Sequence, residues 1–452
     1  MKKKYLSILL AGVMSATMLA GCGSAEQAAD AGGSTASDAT EEDAAAGDDA
    51  AAEAPAASAD AIRLVNGKIE IDEQLKAIAK TYQEETGQEV VIESMGGGVD
   101  IQGQLKSYNA AGNMPDIFVI GGDGDYANWG GKVADLSDCE FVKDTDFTYT
   151  DDETGTPVGF PYAVEGYGIT YNADILEKAG IDPATLINYD AYKAAFEKID
   201  GMKDELGLTS VCAVAAESGQ MYWSTGNHIF GYYLSGGLER DDNTYFDMAM
   251  KGEVDTDRMN QFADFVGLLN QYSDQQTLVS GTYDDQLALW AQGKAAFITQ
   301  GNWIDPSLPD YDVTFNCGIA PLAFTTEDMT SVLADSPSWW CVSADSDKVD
   351  ACKDFLDYLA TSEAGQNCLI KDCGMISPYK SSTVLPETPL ALSLKSYVDA
   401  GDTSSWAWSN MPEGIAQNAI GLVFESYAKG EIDRDQFTTM MQTQIADYVA
   451  NN

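Results

Sequence analysis

Trp303 closes the stretch Gln300-Gly301-Asn302-Trp303, an indole set among polar neighbours. Trp406 and Trp408 lie two apart beside Ser404, Ser405 and Ser409, and Trp223 ends Gln220-Met221-Tyr222-Trp223, shortly before the single histidine, His228. Asn66 and Lys68 follow one apolar run, Asp123 follows another, and Glu165 lies between Val164 and Gly166. Planar rings beside amides, hydroxyls and carboxylates are equipped to hold a ligand that has both apolar faces and polar rims. Catalytic readings are narrower. A nucleophile-histidine-acid triad has only His228 to build on, and zinc sites of the multi-histidine kind are excluded. Asp123-Gly124-Asp125 opens like a calcium loop, but its twelfth position is Ala134 rather than Glu. Gly96-Gly97-Gly98 lacks the dinucleotide fingerprint and any Gly-Lys-Ser/Thr, which leaves a backbone contact at Gly97 or a plain turn. No Gly-x-Ser-x-Gly occurs in a strand-turn-helix setting.

These side chains need a frame, and the apolar pattern supplies one. Ile62–Val65, Val90–Ile92 and Asp116–Ile120 read as strands. Between them, Leu75, Ile78, Ala79 and Tyr82 recur at helical spacing before Gly87, as do Ile101, Leu105 and Tyr108 before Gly112. Strand and helix in alternation argue for an α/β fold with a parallel sheet. Further helices are expected at 189–199, 257–271, 348–360 and 433–449, and strands at 209–215 and 295–299. Ligands of open α/β sheets sit beyond the carboxyl ends of the strands, which selects Asn66–Glu70, Ser94–Asp100 and Gly121–Asp125. If the backbone is extended at Tyr222-Trp223, only one of the two rings faces the ligand, and Trp223 is the expected one.

The chain has 452 residues, and 72 Asp+Glu against 25 Lys+Arg give a formal charge of -47. Such acidity repels nucleic acid and anionic lipid, so no nucleic-acid partner is expected. A single core rarely exceeds roughly 250–300 residues, so two lobes are expected. Lys2 to Lys4 precede an apolar run from Leu6 to Leu19, the order of a secretory signal. The run ends in Leu19-Ala20-Gly21-Cys22, which resembles the bacterial lipobox, whose cysteine is lipidated. Residues 23–60 are rich in alanine and acid, with no Lys, Arg or aromatic. That composition has nothing to bury and reads as a disordered tether spanning roughly 35 Å. Beyond Cys22, seven cysteines remain, an odd number that leaves at least one free thiol. Cys352 falls on an apolar helix face, Cys368 and Cys373 could pair, and no CxxC occurs.

Pro115-Asp-Ile-Phe-Val-Ile-Gly-Gly-Asp123 resembles a segment of the sugar-binding proteins of bacterial ABC importers. So do Phe160-Pro-Tyr-Ala-Val-Glu-Gly-Tyr-Gly-Ile-Thr-Tyr-Asn172, Gly293-Lys-Ala-Ala-Phe-Ile-Thr-Gln-Gly-Asn-Trp303 and the helix Ala351–Gly365 after Trp339-Trp340. With the lipobox, these motifs run in family order, and the chain is similar to extracellular solute-binding proteins of family 1, with a maltose-binding-protein-like layout. The resemblance implies a two-lobed α/β fold with a ligand cleft between discontinuous lobes. One lobe would comprise 61–163 plus about 335–378, the other about 164–334 plus 379–452, after a signal peptide 1–22 and the tether 23–60. The crossings would fall near Tyr162–Glu165, Leu322–Ser338 and Ser377–Ser382, with Trp339 and Trp340 at the hinge.

The family's ligand residues carry over to Trp303 as a solvated stacking platform and to Asp123 and Glu165 as ligand carboxylates. Polar contacts fall to Asn66, Lys68 and Asn302, an aromatic platform to Trp223, and Trp340, Trp406, Trp408, His228 and Gly97 complete the candidate set. The implied activity is capture of a carbohydrate, without catalysis or cofactor, by a monomer anchored only through lipid at the outer face of the membrane, with delivery to permease subunits. A glycoside hydrolase using two of the many carboxylates, or a receptor for a non-sugar solute such as a peptide, stays open at this point. Replacing the lipobox thiol, Cys22→Ala, is expected to release the protein from the membrane or block its processing while the purified body keeps its ligand affinity. Mass spectrometry of the mature native protein checks it, and an unmodified Cys22 would count against the anchor.

Overall fold

A computed structural model describes residues 58–96 and 99–451. Cys22, the signal segment, nearly all of the tether and Gly97 lie outside the described residues. The first five strands are β1 (Ile62–Asn66), β2 (Val90–Ser94), β3 (Ile117–Ile120), β4 (Tyr149–Asp151) and β5 (Thr156–Pro161). Then come β6 (Glu165–Tyr167), β7 (Ile169–Asn172), β8 (Ser210–Ala213), β9 (Ala295–Ile298), β10 (Cys317–Ala320), β11 (Val332–Asp335), β12 (Trp339–Val342) and β13 (Thr403–Ser404). They form three sheets, ordered β2-β1-β3-β12-β5-β4, β10-β7-β9-β8 and β13-β11-β6.

The first sheet is parallel from β2 through β3, where helices Asp72–Thr86 and Ile101–Ala110 supply the crossovers. The expectation of a parallel sheet fails beyond that point. β12 returns from the far part of the chain and pairs antiparallel with both β3 and β5, because no helix precedes it to reverse its direction. The second sheet is also mixed, with β8 and β9 parallel and β7 antiparallel to both β9 and β10. β6 then pairs with β11, and Val164 bridges Ile376.

All four residues of β3 are buried, as a strand covered on both faces requires. Alternation sends Ile117 and Val119 to one core and Phe118 and Ile120 to another. Helix Val349–Thr361 lays Cys352, Phe355, Leu356 and Leu359 onto the first of these cores. A separate, larger core collects Tyr192, Phe196, Phe262, Trp290 and Phe297 around the second sheet.

Trp340 belongs to the first core, not to a ligand surface. It is fully buried between Phe160, parallel at 5.8 Å, and Tyr162 at 4.6 Å. Its position in the middle of a six-stranded sheet, rather than on a free hinge segment, is the reason. All seven described cysteines are free thiols, so Cys368 and Cys373, though neighbours, form no disulfide. No described helix is long and apolar enough to cross a membrane.

Away from the crossings the two lobes meet again at Glu413. Its carboxylate accepts from Lys106 Nζ at 2.8 Å and from Asn128 Nδ2 at 2.7 Å, both on the far side of the gap. Close approach there depends on missing side chains. A Cβ on Gly122, whose φ is +139°, would lie 2.0 Å from the Ser409 carbonyl oxygen, and one on Gly124 would lie 2.5 Å from the Glu413 nitrogen.

Candidate functional site

Between the lobes lies a cavity of about 600 Å³, within the usual range of a small-molecule site. The three segments that follow β1, β2 and β3 all contribute: Gly67–Glu70, then Gly96 and Val99–Gln102, then Gly121, Gly122, Gly124 and Asp125. The opposite wall comes from Glu165, Tyr222, Trp223, Asn227, His228, Tyr283, Trp303 and Trp408. Lys68, Glu165, Trp223, His228, Trp303 and Trp408 thus meet in one cavity, although the sequence scatters them widely.

Lys68 is the electrostatic centre. Its Nζ lies 2.8 Å from Glu165 Oε2 and 3.5 Å from Glu70 Oε1, and 5.8 Å over the Trp303 ring. Burial works against its charge, but the charges of Glu165 and Glu70 outweigh it and hold the ammonium well above its ordinary pKa. Glu165 is pushed upward by burial, with Lys68 opposing the shift. Its Oε2 is engaged, whereas the buried Oε1 has no partner among the described residues.

An aromatic cage surrounds His228. Ring centroids of Trp303, Tyr167, Trp223, Trp406 and Trp408 lie 4.7 to 5.4 Å from the imidazole. Burial, helped by the Lys68 charge, brings the His228 pKa down to about 3, so the ring is neutral at physiological pH. One of its nitrogens then donates and the other accepts. Trp223–Ile229 is a π-helical turn, and a second, Ala416–Ile420, packs against it. Such turns widen the backbone and recur at functional sites. Because the chain coils here instead of extending, Tyr222 and Trp223 both line the cavity, against the expectation that only one would.

Asp125, not Asp123, is the carboxylate that this segment gives to the cavity. Asp123 is exposed and accepts from the Tyr149 hydroxyl at 2.6 Å. The two acids begin the one-turn helix Asp123–Tyr126, and a helical advance of two residues rotates the side chain to the other side. Asp125 Oδ2 accepts from Gly121 N at 2.7 Å and Gln102 Nε2 at 3.0 Å, and Trp129 Nε1 holds Gln102 through its Oε1 at 2.8 Å. Burial pushes Asp125 up to about 6; the Gly121 N–H opposes this and Glu413 adds to it.

Four further candidates do not line the cavity. Asn66 is fully buried and donates to the Lys68 carbonyl and Ser94 Oγ, so it shapes the turn that presents Lys68. Asn302 Oδ1 accepts from Gly166 N at 2.8 Å, fixing β6. Trp406 stands behind Trp303 and His228 at 2% exposure, and Trp340 is in the core described above. Trp303 itself lines the cavity but is only 6% exposed. Tyr167 stacks on it at 5.9 Å and Gln300 Oε1 accepts its N–H at 2.8 Å. A solvated platform, as expected from sequence, is therefore the wrong description; the ring is core and cavity wall together. Sequence reasoning missed Glu70, Gln102, Asp125, Tyr283 and Glu413. Glu70 and Asp125 fell within the segments selected after β1 and β3, while Tyr283 and Glu413 carry no motif. Among the described residues no group of three His, Cys, Asp or Glu side chains is arranged to hold a metal ion.

Residues 77–389 match the family described as bacterial extracellular solute-binding protein. The chain belongs to this family. Its members bind solutes and are not enzymes. This solute-binding protein shares its two-lobed fold with a sugar transporter protein of Bacillus licheniformis solved with stachyose. There the identity is 18% and the TM-score 0.68 over 86% of this chain and 99% of the other. The raffinose-bound solute-binding protein RafE has 17% identity and a TM-score of 0.71 over 86% and 99%. A chitin oligosaccharide binding protein has 17% and 0.66 over 86% and 99%. No curated protein matches the sequence at a significant level.

The solute-binding protein's burial pattern sets two expectations. Trp303→Ala should lower the unfolding free energy of the ligand-free protein by about 3–5 kcal/mol, the cost of truncating a buried tryptophan. Urea titration checks this; a loss near 1 kcal/mol would restore the solvated platform. Asp125 should make stability fall as pH rises. Its folded pKa of about 6 exceeds the ordinary value of 3.8, so the folded state binds the proton more tightly, and its penalty grows between about pH 4 and pH 6. Asp125→Asn should therefore gain stability over wild type at pH 7 and show little difference at pH 4, measured by urea unfolding at both.

Proposed function

We propose that this protein captures an oligosaccharide in the inter-lobe cleft and releases it to a membrane permease. The supporting observation is the pairing, in one cavity, of an indole and imidazole wall with the carboxylates of Glu165, Glu70 and Asp125 and the amides of Gln102 and Asn227. Rings of this kind stack on the apolar faces of pyranoses, and carboxylates accept from paired hydroxyls. Cavity-lining residues carry buried polar atoms with no partner among the described residues, Glu165 Oε1, Tyr283 OH and the indole nitrogens of Trp223 and Trp408, and such atoms suit hydroxyl-rich ligands. The fold neighbours whose names give stachyose, raffinose and chitin oligosaccharide support the same class. Lobe boundaries at 61–163 with 335–378 and at 164–334 with 379–452 put the cleft on the line where they meet. Lipidation at Cys22 and the acidic tether hold this body outside the membrane, within reach of the permease.

A thermal-shift screen over neutral oligosaccharides of differing linkage and length tests the reading. A ligand at one hundred times its dissociation constant adds about 2.7 kcal/mol of stability. The responding sugar should lose about 1.5–3 kcal/mol of binding energy in Asp125→Ala, the range for hydrogen bonds to charged groups. A panel without any responder overturns oligosaccharide capture, and turnover of a sugar at micromolar protein overturns the receptor role.

A further inference from the structure

The charges that line the cleft are lopsided. Among the described residues Lys68 is the only cation that lines it, against the carboxylates of Glu70, Asp100, Asp125, Glu165 and Glu413, and the imidazole of His228 is neutral. Lys68 is not free to take another anion. Its ammonium already lies between Glu165 and Glu70, with side chains 1% and 11% exposed. Lys106, which does not line the cavity, is held by Glu413. Two buried polar atoms on cavity-lining residues add to that count independently. Among the described residues Glu165 Oε1 is an acceptor with no donor, and the Tyr283 hydroxyl, on a residue 8% exposed, is unpartnered. A carboxylate oxygen in such a place is satisfied by a hydroxyl or ammonium hydrogen and repelled by a second carboxylate. The clasp of Glu413 with Lys106 and Asn128 brings the walls together, and buried charges such as that of Glu165 are felt more strongly than in water.

Resting on the oligosaccharide reading above, we infer that the cleft selects by charge: it takes neutral or amino-bearing saccharides and rejects saccharides that carry carboxylates. Glu70 and Glu165 are the specificity-determining residues. They outnumber the one cation that could have paired with a uronate, and they stand where a ligand's polar rim must dock.

Isothermal titration of the protein with maltotriose, cellotriose and raffinose, each beside its C6-oxidised carboxylate form and the methyl ester of that acid, tests the inference. Any neutral sugar that binds should weaken at least about tenfold per carboxylate introduced, and the neutral methyl ester should recover most of the loss. Glu70→Gln should narrow the ratio of affinities between sugar and acid, whatever it does to the neutral sugar's own affinity. An acid that binds as tightly as its neutral parent, or binds where the parent does not, overturns charge selection while oligosaccharide capture stands. Equal losses for acid and ester also overturn it, because shape would then be the cause. Silence from all nine probes, together with a silent thermal-shift panel, removes the oligosaccharide reading and this inference with it.

Discussion

A lysine ammonium placed between two carboxylates, inside a gap lined by indoles, costs desolvation that only close pairing can offset. Lys68 meets that condition by reaching from the turn after β1 to Glu165, the first residue of β6, so its ion pair spans the boundary between the first sheet and the rest of the molecule. Much of the cleft follows from this contact. It fixes the Lys68 turn, which Asn66 braces from beneath. It leaves one oxygen of Glu165 without a partner among the described residues, and the Lys68 charge adds to burial in depressing the basicity of His228. Removing one partner of such a buried pair typically costs about 3–5 kcal/mol, because the other charge is stranded.

The wall opposite Lys68 is built on a different principle. Trp303, Trp406, Trp223 and Trp408 pack on His228 and on one another, and the first two are also members of the second lobe's main core. Rigidity of the recognition surface therefore comes directly from folding. Few rotamers remain to be frozen when a ligand arrives, and that saves ordering entropy on binding. The polar side is positioned with equal care through the relay Trp129–Gln102–Asp125.

Where residue type and spacing act locally, the sequence was a good guide. The expected helices at 189–199, 257–271, 348–360 and 433–449 overlie Tyr189–Gly201, Thr256–Gln271, Val349–Thr361 and Arg434–Asn451. The loops beyond β1, β2 and β3 were found by the rule for strand ends. What could not be read depended on rotation or on distant pairing. Asp123 and Asp125 are chemically alike and two residues apart, and only the pitch of a single helical turn decides which one faces inward. Tyr222 escaped because a π-helical turn has no strong sequence signature. Trp340 looked available because its burial needs β3 and β5 on either side, a fact of topology and not of local composition. Trp303 has polar neighbours in sequence, but one of them, Gln300, binds its indole from within the core.

The place of β12 also governs how the chain can acquire its shape as it is synthesised. The two halves of the first sheet, β2-β1-β3 and β5-β4, are stitched together only by this strand, and the entire second sheet is encoded between β5 and β12. A ribosome releasing residues in order thus presents the first half-sheets with an open, unpaired edge on both β3 and β5 until β12 emerges. Long-range pairing of this kind is slow and leaves intermediates prone to association. Closure of the first sheet must wait for β12, and that stretch of synthesis is the interval in which a holding chaperone has most to offer.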